Sequence, residues 1–392
     1  QRLSLTMEEA RKIYGDYIPG DWSEDTVGKI GLAIREPEGV VAAISPFNYP
    51  LYIAAAKIIP ALLSGNSVVA KPASDTPVSL QLFARILQEA GIPEGSLNVI
   101  TGPGGKLGDA IVSDERVNMV TFTGSTEVGI HVNSVMGLKK RHLELGGKGI
   151  AIVLRDADVQ LAARKVVEGN LSNAGQRCDA VATVLVEESV ADQLLQKVVE
   201  EAKKWRVGDP MDPATDMGPL INESAAKRVE TLVQDAVSKG AKLLLGGKRS
   251  GCFFEPTVLT DVPLDSRIFN EETFGPVLVV NRVKNLDEAL EIAKRPKYGL
   301  DSCVFSNNFY NMWKAAKAMD VGEVTINDNP KHGVGYFPFG GKKASGLGRE
   351  GIGYSIDEMT HLKTIVFNLD PAGLGKRRAS GSPRGGLGHL YI

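Results

Sequence analysis

Between residues 40 and 145, short β-rich runs alternate with helical ones, and this alternation limits the fold more than any other feature. VVAAIS is followed by YIAAAKIIPALL, SVVAKP by VSLQLFARILQEAG, LNVIT by GKLGDAIV, and NMVTFTG by TEVGIHVNSVM. Strands spaced by a helix's length of chain pair in parallel, and helices must cover both faces of such a sheet. A doubly wound α/β domain is expected. A second series starts at Ile150, with IAIVL, ATVLVEE, AKLLLGG, VLVVNRV and SCVFS as strands and VQLAARKVV, VADQLLQKVVEEAKKW and YNMWKAAKAM as helices. The 392 residues, 43% of them hydrophobic, suffice for two or three domains. Before the first sheet, KIGLAIREPEGVVAAI places two extended runs around an EPEG turn, which reads as a hairpin that leaves the domain to meet a partner subunit. The closing run DPAGLGKRRASGSPRGGLGHLYI, residues 370–392, is rich in Gly, Arg and Ser and lacks periodicity, so it is expected to be disordered.

Basic and acidic residues number 45 and 47, a formal charge of −2. No long-range field then recruits nucleic acid or an anionic membrane, and an anionic ligand has to be held by local groups. No apolar run is long enough to span a bilayer, and no signal peptide is evident. The opening QRLSLTMEEARKIYG lacks an initiator methionine, as a fragment would. The three cysteines, Cys178, Cys252 and Cys303, form neither a disulfide framework nor a metal-spaced cluster. A reducing, cytoplasmic setting and the absence of a metal are expected.

Cys178 stands in NAGQRCDA, polar and glycine-containing sequence between a helical pattern and a strand. Arg177 beside it would favour the thiolate that a nucleophile needs. Cys303, inside the apolar run SCVFS, reads as packing. On these residues alone, catalysis by Cys178 stands only slightly ahead of packing. FTGSTEVG, residues 122–129, lies where a strand meets a helix, and amides at a helix N-terminus suit a pyrophosphate, although its glycines do not fit GxGxxG. Glu144 follows Gly124 by twenty residues, the spacing of a ribose-binding acid. It also ends a strand in LELGGKG, where two glycines would let its carboxylate face a cleft as a general base. Those roles, and that of an ordinary strand-end acid, stay open on this ground.

PFNYPLYIAAAKIIPALLSGNSVVAKPAS, FTGSTEVG, LELGGKG, NAGQRCDA, EETFGPV and FPFGGKKASGLGREG occur in the order and approximate spacing of the aldehyde dehydrogenase superfamily, which the chain resembles over residues 31–369. The resemblance implies two Rossmann-like α/β domains with a small oligomerisation hairpin. Residues 1–21 would be a remnant of an N-terminal helical part, 22–39 the hairpin, 40–146 the cofactor-binding domain, 147–345 the catalytic domain, and 346–369 a return helix and oligomerisation strand. Homodimers or homotetramers would pair through residues 30–44 and 362–368. By the same resemblance Cys178 attacks an aldehyde, Asn48 donates to the oxyanion, and Glu144 activates the water that releases a free acid. NADP or NAD would be held by Ser45, Pro46, Phe47, Lys71, Ser74, Gly124, Ser125, Glu272 and Phe274. NAD-preferring relatives often carry a glutamate where this chain has Ser74. A neutral hydroxyl there removes the repulsion of a 2′-phosphate, so NADP is accepted.

INDNPKHGVGYFPFGG and GIGYSIDEMTHLKTIVFNL are similar to the non-phosphorylating glyceraldehyde-3-phosphate dehydrogenase branch, above all its archaeal members. That branch implies a small phosphorylated aldehyde gripped by Tyr49, Arg177, Lys331 and His332. Bacterial and plant members have QRG or ARG in place of KHG, so His332 falls on their arginine. Three other readings are a semialdehyde dehydrogenase, a thiol hydrolase pairing Cys178 with His142, and a truncated binding or structural homologue without activity.

Overall fold

The computed structural model describes residues 1–331 and 335–370. The first series of alternating runs forms a six-stranded sheet in the order Gly346–Leu347, Lys140–Glu144, Met119–Thr123, Val40–Ile44, Ser67–Lys71, Leu97–Val99. All its pairs are parallel except that of Gly346–Leu347. Strand order reverses at Val40–Ile44, which has Ser67–Lys71 on one side and Met119–Thr123 on the other. At such a switch point the connections leave in opposite directions and open a crevice beyond the carboxyl ends of the strands. Residues 45–48 and 124–125 follow two of those ends.

The second series forms a seven-stranded sheet in the order Lys242–Leu245, Thr257–Thr260, Val277–Val283, Val181–Glu187, Gly149–Val153, Asp301–Phe305, Glu323–Ile326. Only its outermost pair, Lys242–Leu245 with Thr257–Thr260, is antiparallel. Val181–Glu187, Gly149–Val153 and Asp301–Phe305 are buried along their whole length. Parallel strands covered on both faces read as unbroken apolar runs, which is why the sequence shows them clearly. The helix Glu223–Ser238, the helix Leu286–Ala293 and the strands Thr257–Thr260 and Glu323–Ile326 add to the elements expected from the sequence.

The two extended runs around EPEG are not a hairpin. Lys29–Pro37 pairs antiparallel with Asp16–Pro19 and, over all nine of its residues, with Thr360–Asn368. Val40–Ile44 instead enters the first parallel sheet, because VVAAI is apolar on both faces and is buried from Val41 onward. Gly39, at φ 123°, makes the turn between them. The hairpin therefore starts at Asp16, inside the stretch expected to be a helical remnant, which keeps one helix, Arg2–Ala10. The helix Ile352–Glu358 and the strand Thr360–Asn368 occupy the range expected for a return helix and strand, and that strand is exposed beyond its first residue. The tail after Asp370 lies outside the described residues.

The link 145–148 carries the chain from Lys140–Glu144 straight into Gly149–Val153. The carboxyl edge of the first sheet thus faces the amino edge of the second. Leu185, fully buried in the central strand of the second sheet, tests this packing: replacing it with alanine should cost about 2–5 kcal/mol, read as a lower denaturation midpoint.

Candidate active site

Two cavities meet where the sheets face each other, and Thr123 and Cys178 line both. The larger, about 540 Å³, fills the crevice beyond the first sheet. Its wall includes all nine residues expected to hold the dinucleotide, from Ser45 to Phe274, and also Asn48. Ser125 caps the helix Thr126–Val135 by accepting from the Val128 N–H at 3.3 Å, and Gly124, Ser125, Glu127 and Val128 at that helix start line the cavity. The Lys71 amine is buried, donates to the Pro72 carbonyl at 3.2 Å, and has its pKa lowered by that burial. The buried Ser45 hydroxyl has no partner. Ser74 Oγ donates to the Gly102 carbonyl at 3.2 Å. Phe47 and Phe274 meet edge to face at 5.8 Å. Glu272 Oε1 accepts from the Gly147 N–H at 3.0 Å, and burial pushes its carboxyl up to about 7. A helix start, a buried amine and an unpartnered hydroxyl are the donor set that an anionic dinucleotide requires, so the cavity fits one.

Sequence reasoning missed Arg228, whose guanidinium donates to the Thr273 and Glu272 carbonyls at 3.1 and 2.8 Å on the wall of this cavity. It lies on the helix Glu223–Ser238, an element not expected from the sequence, and nothing local marks it.

The smaller cavity, about 340 Å³, is lined by Tyr49, Tyr52, Glu144, Arg177, Cys178, Asp179, Lys331 and Glu350 among others. Glu144 lines this cavity and not the larger one. Its carboxyl is buried, which raises its pKa; Oε1 lies 3.1 Å from His142 Nε2, and Oε2 has no partner. Asn48 Nδ2 donates to the Gln176 carbonyl at 2.9 Å, which uses one of its two hydrogens and holds the amide against the nucleophile loop.

Local backbone sets the place of Cys178. After the helix Val159–Leu171, three successive residues take the left-handed conformation, Asn173 and Ala174 at φ 54° and Gly175 at φ 71°. Two of them are not glycine, and such conformations persist only where surroundings enforce them. From the other side, a Cβ on Gly147 would stand 2.1 Å from the Cys178 carbonyl oxygen, so only glycine lets the link lie against this loop.

The electrostatics differ from expectation. Arg177 does not free a thiolate, because its Nε and Nη2 bind the two oxygens of Asp179 at 3.0 and 2.7 Å, and Nη2 also donates to the Pro330 carbonyl at 3.0 Å. Burial pushes the Cys178 thiol well up, and the negative charges of Asp179, Asp301, Glu144 and Glu272 push it further. Lys331 Nζ reaches Glu168 at 3.0 Å on the cavity rim. His332 lies outside the described residues. His142 lines neither cavity, so no Cys178–His142 pair forms.

The sequence profile of the aldehyde dehydrogenase family matches residues 1–365. The chain belongs to this family. It is 45% identical over 368 residues to the NADP-dependent glyceraldehyde-3-phosphate dehydrogenase of Streptococcus equinus, a match that covers 94% of this chain and 77% of that protein. It is 42% identical over 369 residues to the lactaldehyde dehydrogenase of Methanococcus maripaludis, covering 93% and 79%. The structure of the Bacillus halodurans NADP-dependent glyceraldehyde-3-phosphate dehydrogenase complexed with NADP superposes with a TM-score of 0.92 at 42% identity, covering 94% of this chain and 77% of that one. The architecture described above is thus the aldehyde dehydrogenase fold.

In this aldehyde dehydrogenase Cys303 is buried in the strand Asp301–Phe305, as its apolar run suggests. Because the Cys178 pKa is raised, thiolate forms only at high pH. Alkylation of Cys178 by iodoacetamide, followed by peptide mass mapping without cofactor, should accelerate with pH through 9 without a plateau. A plateau near neutrality would mean a stabilised thiolate.

Proposed function

We propose that the chain oxidises a small 2-hydroxyaldehyde to its free acid through a thioester on Cys178, with NADP or NAD as acceptor. Glyceraldehyde 3-phosphate, giving 3-phosphoglycerate without added phosphate, is the first substrate to test. The observation that carries this reading is the position of Cys178 at the junction of a cavity that fits a dinucleotide and one that holds Glu144 with a free oxygen. The thiol is neutral at rest, so its proton has to leave as the sulfur attacks the carbonyl carbon; Glu144 is the base at hand. The second Asn48 N–H and the Cys178 backbone N–H would receive the oxyanion, each donor worth about 3 kcal/mol in the transition state. The bound dinucleotide supplies the acceptor for the hydrogen and electron pair that leave the aldehyde carbon. Glu144 gives the thiol proton up to solvent and then takes a proton from water, the hydroxide adds to the acyl carbon, and the sulfur leaves and regains a proton. With this base in place, water rather than coenzyme A accepts the acyl group. Ser74 leaves room for a 2′-phosphate, in keeping with NADP use by the two glyceraldehyde-3-phosphate dehydrogenases named above. The exposed strand Thr360–Asn368, with Leu362, Val366 and Phe367 outward, is the proposed contact of a homodimer or homotetramer.

A second reading follows from the paired state of Arg177 and Lys331. Glyceraldehyde 3-phosphate and lactaldehyde share the CHO–CHOH–CH₂ frame and differ in the third-carbon group. With Arg177 neutralised by Asp179 and Lys331 facing Glu168, the cavity favours an uncharged 2-hydroxyaldehyde such as lactaldehyde.

NADPH formation across glyceraldehyde 3-phosphate, glyceraldehyde, lactaldehyde and succinate semialdehyde, without phosphate, should reveal turnover. In Glu144→Gln the pre-steady-state burst of NADPH should be slower but keep its amplitude, while the steady rate falls at least a hundredfold. Loss of cofactor affinity instead would return Glu144 to a ribose-binding role. Asp179→Asn separates the two substrates: if the ion pair disables an anion grip, releasing Arg177 should raise the kcat/KM ratio of glyceraldehyde 3-phosphate to glyceraldehyde roughly tenfold. A lower ratio favours phosphate binding by the pair as it stands, and an unchanged ratio removes Arg177 from substrate discrimination.

A further inference from the structure

The strands Met119–Thr123 and Lys140–Glu144 pair in parallel with Thr121 beside His142 and Thr123 beside Glu144. His142 and Glu144 are two residues apart on one strand and so project from the same face. A continuous buried chain results: Lys57 Nζ to Thr121 Oγ1 at 3.2 Å, Thr121 Oγ1 to His142 Nδ1 at 3.3 Å, and His142 Nε2 to Glu144 Oε1 at 3.1 Å. Burial lowers the Lys57 pKa and Glu350 and Glu144 oppose this; as an ammonium Lys57 can only donate, so Thr121 accepts from it and gives its single hydroxyl hydrogen to Nδ1. The imidazole proton then sits on Nε2 and is donated to Glu144.

The ring is also clamped. A Cβ on Gly348 would stand 2.6 Å from His142 Cδ2, and the Glu358 carboxyl lies beside the same glycine, accepting from the Arg349 N–H at 3.4 Å. The other charged groups on this side are Glu350, 3.8 Å from Lys57, and Arg2, which binds Glu350 at 2.8 Å.

We propose that His142 is a positioning residue: by occupying Glu144 Oε1 it fixes the carboxyl in one orientation, with the unpartnered Oε2 as the working oxygen towards Cys178. The proposal rests on Glu144 being the base. Its hydrogen bond favours the carboxylate and opposes the burial that raises the Glu144 pKa. Loss of the bond raises that pKa further, so the base is protonated over a wider acid range and the acid limb of deacylation moves to higher pH.

p-Nitrophenyl acetate tests this without cofactor or natural substrate. Cys178 displaces p-nitrophenolate to give an acetyl thioester, seen as a burst, and water then releases acetate in the steady state. His142→Leu should keep the burst amplitude, shift the acid limb upward, and deacylate roughly tenfold more slowly at the acid end. His142→Gln, which retains an N–H donor, should restore the wild-type limb. A limb that does not move in His142→Leu, while Glu144→Gln fails to deacylate at any pH, overturns the positioning role alone. Normal deacylation by Glu144→Gln overturns the base assignment and this inference with it. If His142→Leu gives no burst, His142→Gln decides: an unmoved limb supports the donor and a moved limb overturns it.

Discussion

The link 145–148 joins the last parallel strand of one sheet to a central strand of the other, and the site depends on how closely this link approaches the Cys178 loop. The absence of a side chain at Gly147 lets the Cys178 carbonyl lie where a Cβ would be, at 2.1 Å from it. The same residue's N–H binds Glu272 at 3.0 Å. Gly147 thereby brings together the strand that ends in Glu144, the loop that carries Cys178 and the acid Glu272 on the wall of the larger cavity. A larger residue would have to move the Cys178 loop, and the two cavities would no longer meet at the thiol.

That closeness has an electrostatic consequence. Around Cys178 stand Asp179, Asp301, Glu144 and Glu272, and burial raises the pKa of the thiol and of three of these acids, Asp301, Glu144 and Glu272. Asp301 is buried, with both carboxyl oxygens unpartnered among the described residues, and burial and the neighbouring acids raise its pKa. Arg177, the nearest cation in sequence, is held by Asp179. The resting site is therefore a neutral thiol among acids, and its reactivity depends on proton removal at the moment of attack. This gives particular weight to the geometry of Glu144, whose two oxygens have different surroundings: one bound to imidazole, the other open.

Much of the fold was legible because parallel strands covered on both faces are written as continuous apolar runs. Both sheets follow from that pattern, though the strands Thr257–Thr260 and Glu323–Ile326 were not read from it, and so do Cys303 as packing and Cys178 as a loop thiol. The ordered motifs around Asn48, Lys71, Gly124, Glu144, Cys178 and Glu272 extended this to the family. Pairing was less legible. The runs around EPEG look like a hairpin locally, yet Lys29–Pro37 pairs with a strand more than 320 residues away, Thr360–Asn368, since hydrogen-bonding partners of an extended segment are not encoded in its own composition.

The sequence by itself determined most element types, the family and the loop setting of Cys178, because these rest on local patterns and on motifs read along the chain. Only the tertiary structure decided the charge state of the site. Whether Arg177 is a free cation, whether Cys178 is a thiolate, which cavity Glu144 faces and that Arg228 reaches the cofactor wall all depend on through-space distances and on burial. Those quantities are set when the two sheets meet, and no single stretch of chain contains them.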